Sequence, residues 1–315
     1  MTAICAFDFD RQGRAQVADI DAGLPGDGYR WVHWDLADPD LEDWITARLP
    51  SVAIRALTQT ETRPRALSDD GALILILRGM NLNEGQARED MVSVRLWATE
   101  TLVVTVRARK IFALNDMRDQ AMNGIGPALA GVFVDELAER LITRLEADSL
   151  AMEDEVDLLE DRLFENAEDP ICETLSPLRR SVIRLRRHIG PMSAALREAL
   201  ELQSDVMSPA HVQNLRETAN RALRTHEELD AAHERLSALT DHLDMEQASR
   251  VGRNGYLLSV IAAIFLPLGF LTGLFGVNVA GMPGTESPMA FVILTLAMIG
   301  IGIAGALALR WLRLF

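Results

Sequence analysis

Two groups of residues in this chain have types and spacings suited to handling a cation. The first is Gly276-Val277-Asn278, which closes an uncharged apolar stretch and is followed by Val-Ala-Gly-Met-Pro-Gly. The amide oxygen of Asn278, repeated about a symmetry axis, would make a ring of neutral hard acceptors, which suits a hydrated divalent ion. The second group is His226, Glu227, Asp230, His233, Glu234 and Asp241. His226, Asp230 and His233 stand at i, i+4 and i+7, a spacing that offers a divalent metal two imidazoles and a carboxylate. At about 100° per residue, Glu227, Asp230, Glu234 and Asp241 share one arc of a helix. Copies of that arc around an axis would line a cation vestibule; the plainer reading is a solvated helix face.

The elements that hold these residues follow from a lopsided composition. The chain is 49% hydrophobic and 24% charged over 315 residues, so its apolar residues must be concentrated. Tyr256 to Phe275 and Met289 to Leu309 contain no Asp, Glu, Lys, Arg or His. Each matches the roughly 20 residues that cross about 30 Å of hydrocarbon, and both are expected to be transmembrane helices. Arg250 and Arg253 precede the first, and Arg310 and Arg313 follow the second. The positive-inside rule then places both termini in the cytoplasm and residues 276–288 on the far side. The start, Met-Thr-Ala-Ile-Cys-Ala-Phe-Asp, has no basic or long apolar run, so the first 250 residues are expected to stay cytosolic. Within the first span Pro267 leaves the Ala263 carbonyl without its usual donor, which hydrocarbon tolerates only against protein or water. Gly269, Gly273 and Gly276 add close-approach positions. Leu258, Ala262, Leu266, Pro267, Gly269 and Gly273 are the candidate pore-lining residues, and Gly276, Val277 and Asn278 the candidate selectivity loop.

Residues 1–127 read as an α/β domain. Strands are expected at 29–35, 72–77, 91–97 and 102–106, and helices at 41–49 and 111–122. No glycine-rich nucleotide fingerprint and no nucleophile-base arrangement can be placed there; Thr60-Glu61-Thr-Arg63-Pro64-Arg65 lacks catalytic partners, so no enzyme reading is supported. Residues 128–207 read as a hairpin of an acidic helix, broken at Asp169-Pro170, and a basic helix carrying Arg179, Arg180, Arg184, Arg186 and Arg187, kinked at Gly190-Pro191. Opposite charges are expected to face each other across it, with a regulatory metal on the acidic carboxylates as the alternative. Ser208-Pro209 starts a third helix, uninterrupted until Pro267, a rod of roughly 100 Å with residues 208–255 as its cytosolic part. Val212, Leu215, Ala219, Ala222, His226, Leu229, His233, Leu236, Thr240 and Leu243 follow a 3-4-3-4 spacing, the pattern of helices packed along a seam. A rod of this length is improbable alone, so a symmetric oligomer is expected.

Charge is equally uneven. Residues 251–315 carry Arg253, Glu286, Arg310 and Arg313, a sum of +2, so a whole-chain charge of −15 leaves −17 on residues 1–250. Such a surface repels nucleic acid and anionic lipid and gathers cations. Cys5 and Cys172 belong to no ligand cluster and read as ordinary thiols.

The stretch from Phe265 to Asn278, Phe-Leu-Pro-Leu-Gly-Phe-Leu-Thr-Gly-Leu-Phe-Gly-Val-Asn, closely resembles the pore helix and Gly-x-Asn loop of the CorA superfamily of divalent-cation transporters. Gly-Val-Asn in place of Gly-Met-Asn, with Arg63-Pro-Arg65, Leu77-Arg-Gly-Met-Asn81 and Thr105-Val-Arg107, is similar to its zinc-transporting ZntB branch. The resemblance implies a CorA-like funnel: an α/β cytosolic domain, long helices and two C-terminal transmembrane helices (256–275 and 289–309, with a tail at 310–315), assembled as a homopentamer in the bacterial inner membrane. It also implies zinc as the transported ion, proton-coupled uptake, and no resident cofactor. The partners are then the chain's own copies, membrane lipid and divalent cations, with no nucleic acid. Neither span offers an ionisable side chain for a proton relay. Two alternatives stand beside this: a magnesium, cobalt or nickel channel gated by cytosolic metal, and a membrane-tethered coiled-coil signalling or scaffold protein.

Overall fold

The computed structural model describes residues 3–164, 171–276, 284 and 287–311. The chain divides into two units, Met1–Ala238 and Leu239–Phe315, taken here in turn.

The first unit opens with β1 (Cys5–Phe9), β2 (Ala15–Val17), β3 (Tyr29–Asp35), α1 (Leu41–Thr46), α2 (Ser51–Thr58), β4 (Arg65–Asp69), β5 (Ala72–Gly79), β6 (Val92–Ala98), β7 (Leu102–Arg107) and α3 (Phe112–Met122). The seven strands form one sheet in the order β2-β1-β3-β7-β6-β5-β4. Only β3 and β7 pair in parallel, with Trp31 against Val103 and His33 against Thr105. The four expected strands are the central ones, β3, β5, β6 and β7. Their near-continuous apolar runs reflect burial on both faces. On one face Trp34, Ile74, Ile76, Trp97 and Val104 pack with Trp44, Ile45 and Leu57 of α1 and α2. On the other, the rings of Trp31 and Phe133 lie 4.9 Å apart. A side chain at Gly79 would come within 2.8 Å of Leu141, so the sheet and the next helix touch closely there. Trp31 Nε1 donates to Thr105 Oγ1 at 2.8 Å, and His33 Nδ1 lies 2.8 Å from the same oxygen. Full burial pushes the His33 pKa down to about 3, so this ring is a neutral packing group.

Three long helices follow: α4 (Ala130–Phe164), α5 (Ile171–Glu201) and α6 (Pro209–Gly276). The predicted Asp169-Pro170 break lies outside the described residues. Pro177 and Pro191 both sit inside α5, which continues to Glu201. Ser208 starts α6 as anticipated: its carbonyl accepts from Val212 N at 3.0 Å and its hydroxyl from His211 N at 3.5 Å. Within the first unit, α6 runs parallel to α4. His211 sits over Gly131, Arg221 Nε donates to Glu146 at 2.9 Å, and Arg235 Nε donates to Glu160 at 2.8 Å. Any side chain at position 131 would meet the Val206 carbonyl at 2.5 Å, so glycine is what lets the root of α6 approach α4.

Two expectations are corrected here. The 3-4-3-4 seam is not left for other copies to cover. Leu215, Ala219, Ala222, Leu229 and Leu236 are fully buried within a single chain, because α4 and α5 bring their own apolar stripes, Leu145, Val156, Leu159, Val182, Leu185 and Ile189. The hairpin charges are also arranged differently. The carboxylates of α4 are matched by Arg221 and Arg235 of α6, while α5 sends Arg184 to Asp90 and Arg186 to Asp230. Side-chain bonding draws the Glu160 carboxyl below its usual range, with Arg235 as the cause.

Asp135 of α4 is buried beside the root of α6. One oxygen accepts from Asn214 Nδ2 at 3.5 Å, and the other has no partner among the described residues. Burial raises its pKa to about 7; Asn214 opposes this and Glu139 adds to it. The fold therefore favours the protonated carboxyl. The contribution of this carboxyl to stability is fully present below about pH 4 and is lost as pH rises towards 7, while an unfolded chain gives up that proton near 3.8. Asp135→Asn should remove this slope. At pH 7.5 the variant should be the more stable by roughly 2–4 kcal/mol, checked by denaturant unfolding of detergent-purified protein from pH 4.5 to 8. A wild type whose stability is flat over that range would refute the assignment.

The second unit holds the end of α6 and α7 (Ala290–Trp311). A side chain at Gly305 of α7 would lie 3.8 Å from Ile264 of α6, so the two helices are in contact.

Candidate cation pathway

By length and composition, α6 is the one helix among the described residues apolar enough to cross a membrane; Ala290–Gly305 is a shorter apolar stretch. In a single chain the apolar part of α6 and the Ala290–Gly305 stretch are almost wholly uncovered, with Leu266 at 72% and Phe291 at 78% of full exposure. Apolar surface on that scale requires lipid or protein around it. The hydroxyls agree: Ser259, Thr272 and Thr295 donate to the carbonyls of Gly255, Leu268 and Phe291 at 3.0, 3.1 and 2.8 Å. Each of these three hydroxyls is thus satisfied inside its own helix, as hydrocarbon demands.

The covering is one-sided. Tyr256, Val260, Ile264, Leu268 and Leu271 are the buried or half-buried positions of this part of α6, and they form the stripe that includes the contact with α7. At about 100° per residue, Leu258, Ala262, Leu266, Gly269, Gly273 and Gly276 fall in an arc of about 80° on the opposite side. All six are exposed, and a Cβ added at Gly269, Gly273 or Gly276 would meet nothing within 4 Å. Five of the six pore-lining candidates thus share one bare face with Gly276. Pro267 falls instead on the flank of the covered stripe, and α6 passes through it without interruption. Val277 and Asn278 lie outside the described residues, directly after the last residue of this face.

On the stalk part of α6, Glu227, Glu234 and Asp241 are exposed, while His226, Asp230 and His233 are half-buried. The structure brings His226 and Asp230 together, 3.8 Å apart. The His226 ring rests against α5 at Gly190, and the Asp230 carboxylate is ion-paired with Arg186. The expected set of two imidazoles and a carboxylate is not gathered within a chain. No group of three or more His, Cys, Asp or Glu side chains is placed to hold a metal among the described residues.

A family model described as "CorA-like Mg2+ transporter protein" matches residues 26–313. The chain belongs to the CorA family. It is 34% identical over 296 residues to the divalent cation transporter CmaX of Pseudomonas aeruginosa, covering 92% of this chain and 88% of that protein. It is 28% identical over 299 residues to the zinc transport protein ZntB of Yersinia pseudotuberculosis, covering 94% and 91%. Among solved structures, full-length CmaX superposes with a TM-score of 0.84 at 31% identity over 99% of this chain and 98% of that one. The CorA magnesium transporter of Methanocaldococcus jannaschii gives 0.78 at 14% identity over 98% of each chain, a likeness of fold. The CorA fold explains the order of elements: a sheet unit, then long helices, the last of which carries the apolar face.

Proposed function

We propose that the chain is a membrane divalent-cation transporter, most specifically for zinc, working as a homopentamer with a central pore lined by α6. The observation that carries this reading is the bare face of α6. It is span-length, it lies opposite the stripe that contacts α7, it is built from leucine and small residues, and it ends at Gly276 next to Val277-Asn278. A tether or scaffold needs no such face. Leu258, Ala262, Leu266, Gly269 and Gly273 line the pore, and Asn278 supplies its outer ring of oxygen acceptors. Spans at 256–275 and 289–309 place both termini in the cytoplasm, with the exposed carboxylates of Glu227, Glu234 and Asp241 attracting cations towards the pore. Zinc is supported by the relatives named ZntB, and a broader range of divalent ions by the relative CmaX. The filter chemistry favours neither, since amide oxygens lack the thiolate or imidazole preference of a zinc-selective site. Coupling to protons runs through water or the hydrated ion, because the spans contain no Asp, Glu, His, Lys or Arg to relay them.

The test is metal flux into liposomes holding the purified protein, for zinc, cobalt, nickel and magnesium, with and without a pH gradient. Zinc uptake that rises with an inward proton gradient is the expected result. Flux of magnesium but not zinc would replace the zinc assignment, and no flux of any divalent ion would end the transport reading.

A further inference from the structure

The sheet unit contains a concentration of positive charge that cation transport does not use. Arg65 of β4 and Arg95 of β6 both pair in register with Ile76 of β5, and Arg78 lies two residues further along β5. Alternation along strands puts all three side chains on one face. Arg95 has no exposed surface at all. Its Nη2 donates to the carbonyl of Gln59 at 2.8 Å, while Nε and Nη1 have no partner among the described residues. Arg78 donates to the carbonyls of Met91 and Thr62 at 3.0 and 2.7 Å, and its Nε is likewise unpartnered. Arg65 reaches the side-chain oxygen of Gln59 at 3.1 Å and leaves Nε without a partner among the described residues; so is the hydroxyl of buried Thr62, whose carbonyl accepts from Arg78.

From α5, Arg187 and His188 add to the cluster. Burial lowers the Arg78 pKa and Arg187 lowers it further; burial followed by Arg78 does the same to Arg95. His188 is pushed down to about 4 by burial, Arg78 and Arg187, with Asp90 opposing. Every partner of Arg65, Arg78 and Arg95 is a neutral oxygen. Among the described ion pairs none joins a carboxylate to Arg65, Arg78, Arg95 or Arg187. This occurs in a region of 250 residues that carries −17. Uncompensated buried cations are costly, and the missing component is negative charge.

We propose that this cluster is a binding site for a small, doubly charged oxyanion of the phosphate class. Guanidinium N–H groups are directional and match the paired oxygens of a phosphoryl group. The free donors, on three arginines and one hydroxyl, need an anion with several acceptor oxygens more than a spherical halide. Exposed Arg187 and half-buried Arg78 form the approach, and Arg95 lies behind them.

The probe is inorganic phosphate, added to full-length protein in detergent at pH 7 with ionic strength held constant by sodium chloride. The unfolding midpoint should rise saturably with phosphate and not with the chloride control. Arg78→Gln should raise the half-saturating concentration about tenfold, and Arg187→Gln by about threefold, in line with the loss of one charge-assisted contact. Arg187 is exposed, so its variant keeps the test open should Arg78→Gln fold poorly. Equal shifts in phosphate and chloride, or a wild-type phosphate response in both variants, would overturn the proposal.

Discussion

Asn278→Ala is expected to reduce zinc flux into liposomes to background while leaving the purified assembly intact. Asn278 follows the bare face of α6 directly in sequence, and in the proposed reading its amide oxygen faces the ion. In a symmetric ring its loss removes one acceptor per copy at the point where the ion sheds or exchanges water. A charge-assisted contact is worth about 1.5–3 kcal/mol, and losing several around one ion multiplies to far more than a hundredfold in occupancy. Gly276→Ala should act to a similar degree for a different reason. In one chain an added Cβ meets nothing within 4 Å, so the methyl does not disturb the helix, and any lost flux arises where copies converge on the pore. The measurement is entry of zinc detected by an indicator inside the vesicles, beside a thermal midpoint for each variant. Normal flux in either variant, with the midpoint unchanged, would remove Gly276-Val277-Asn278 from the pathway.

How much of this was legible in the sequence depends on whether a feature is local. The strands Tyr29–Asp35 and Leu102–Arg107 are dense in aromatic and β-branched residues because helices cover both faces of the sheet, and that density survives without a structure. The edge strand Arg65–Asp69 does not announce itself, since Arg65, Ser68 and Asp69 read as loop. The helix Ser51–Thr58 is short and was missed for the same reason. The periodicity of α6 correctly identified an apolar stripe, but period alone cannot say what covers it, and here α4 and α5 of the same chain do so. The charge pattern failed in a related way. Arg221 and Arg235 lie about 75 residues from the carboxylates they bind, a distance at which sequence neighbours give no guide. Arg95 within Val-Ser-Val-Arg-Leu-Trp-Ala looks like the solvated position of a strand, and Asp135 like an ordinary surface acid; only the packing shows both to be buried. In the apolar part of α6 the spacing of the small residues made a shared face legible, yet Pro267 shows that a conspicuous residue need not share the face of its neighbours.

Leu229→Ala should destabilise the first unit by about 3–5 kcal/mol without changing the number of copies in the assembly. Leu229 is fully buried, and truncation removes its apolar contacts and leaves a cavity that rigid helices on both sides cannot close. Leu236→Ala, two helical turns further along and also fully buried, should cost a comparable amount. The two sites are about 10 Å apart along the axis, so their effects should nearly add, bringing the double variant close to the whole stability of a typical domain. Denaturant unfolding reports the energies, and native mass spectrometry in mild detergent reports the copy number. The two together separate the possible partners of the stripe. Were the seam shared between copies, truncation would dissociate the assembly while each chain kept its fold. A stripe covered by α4 and α5 predicts the reverse: softer individual chains, a lower midpoint and an oligomer of unchanged mass. Loss of assembly at unchanged chain stability would therefore restore the intermolecular seam.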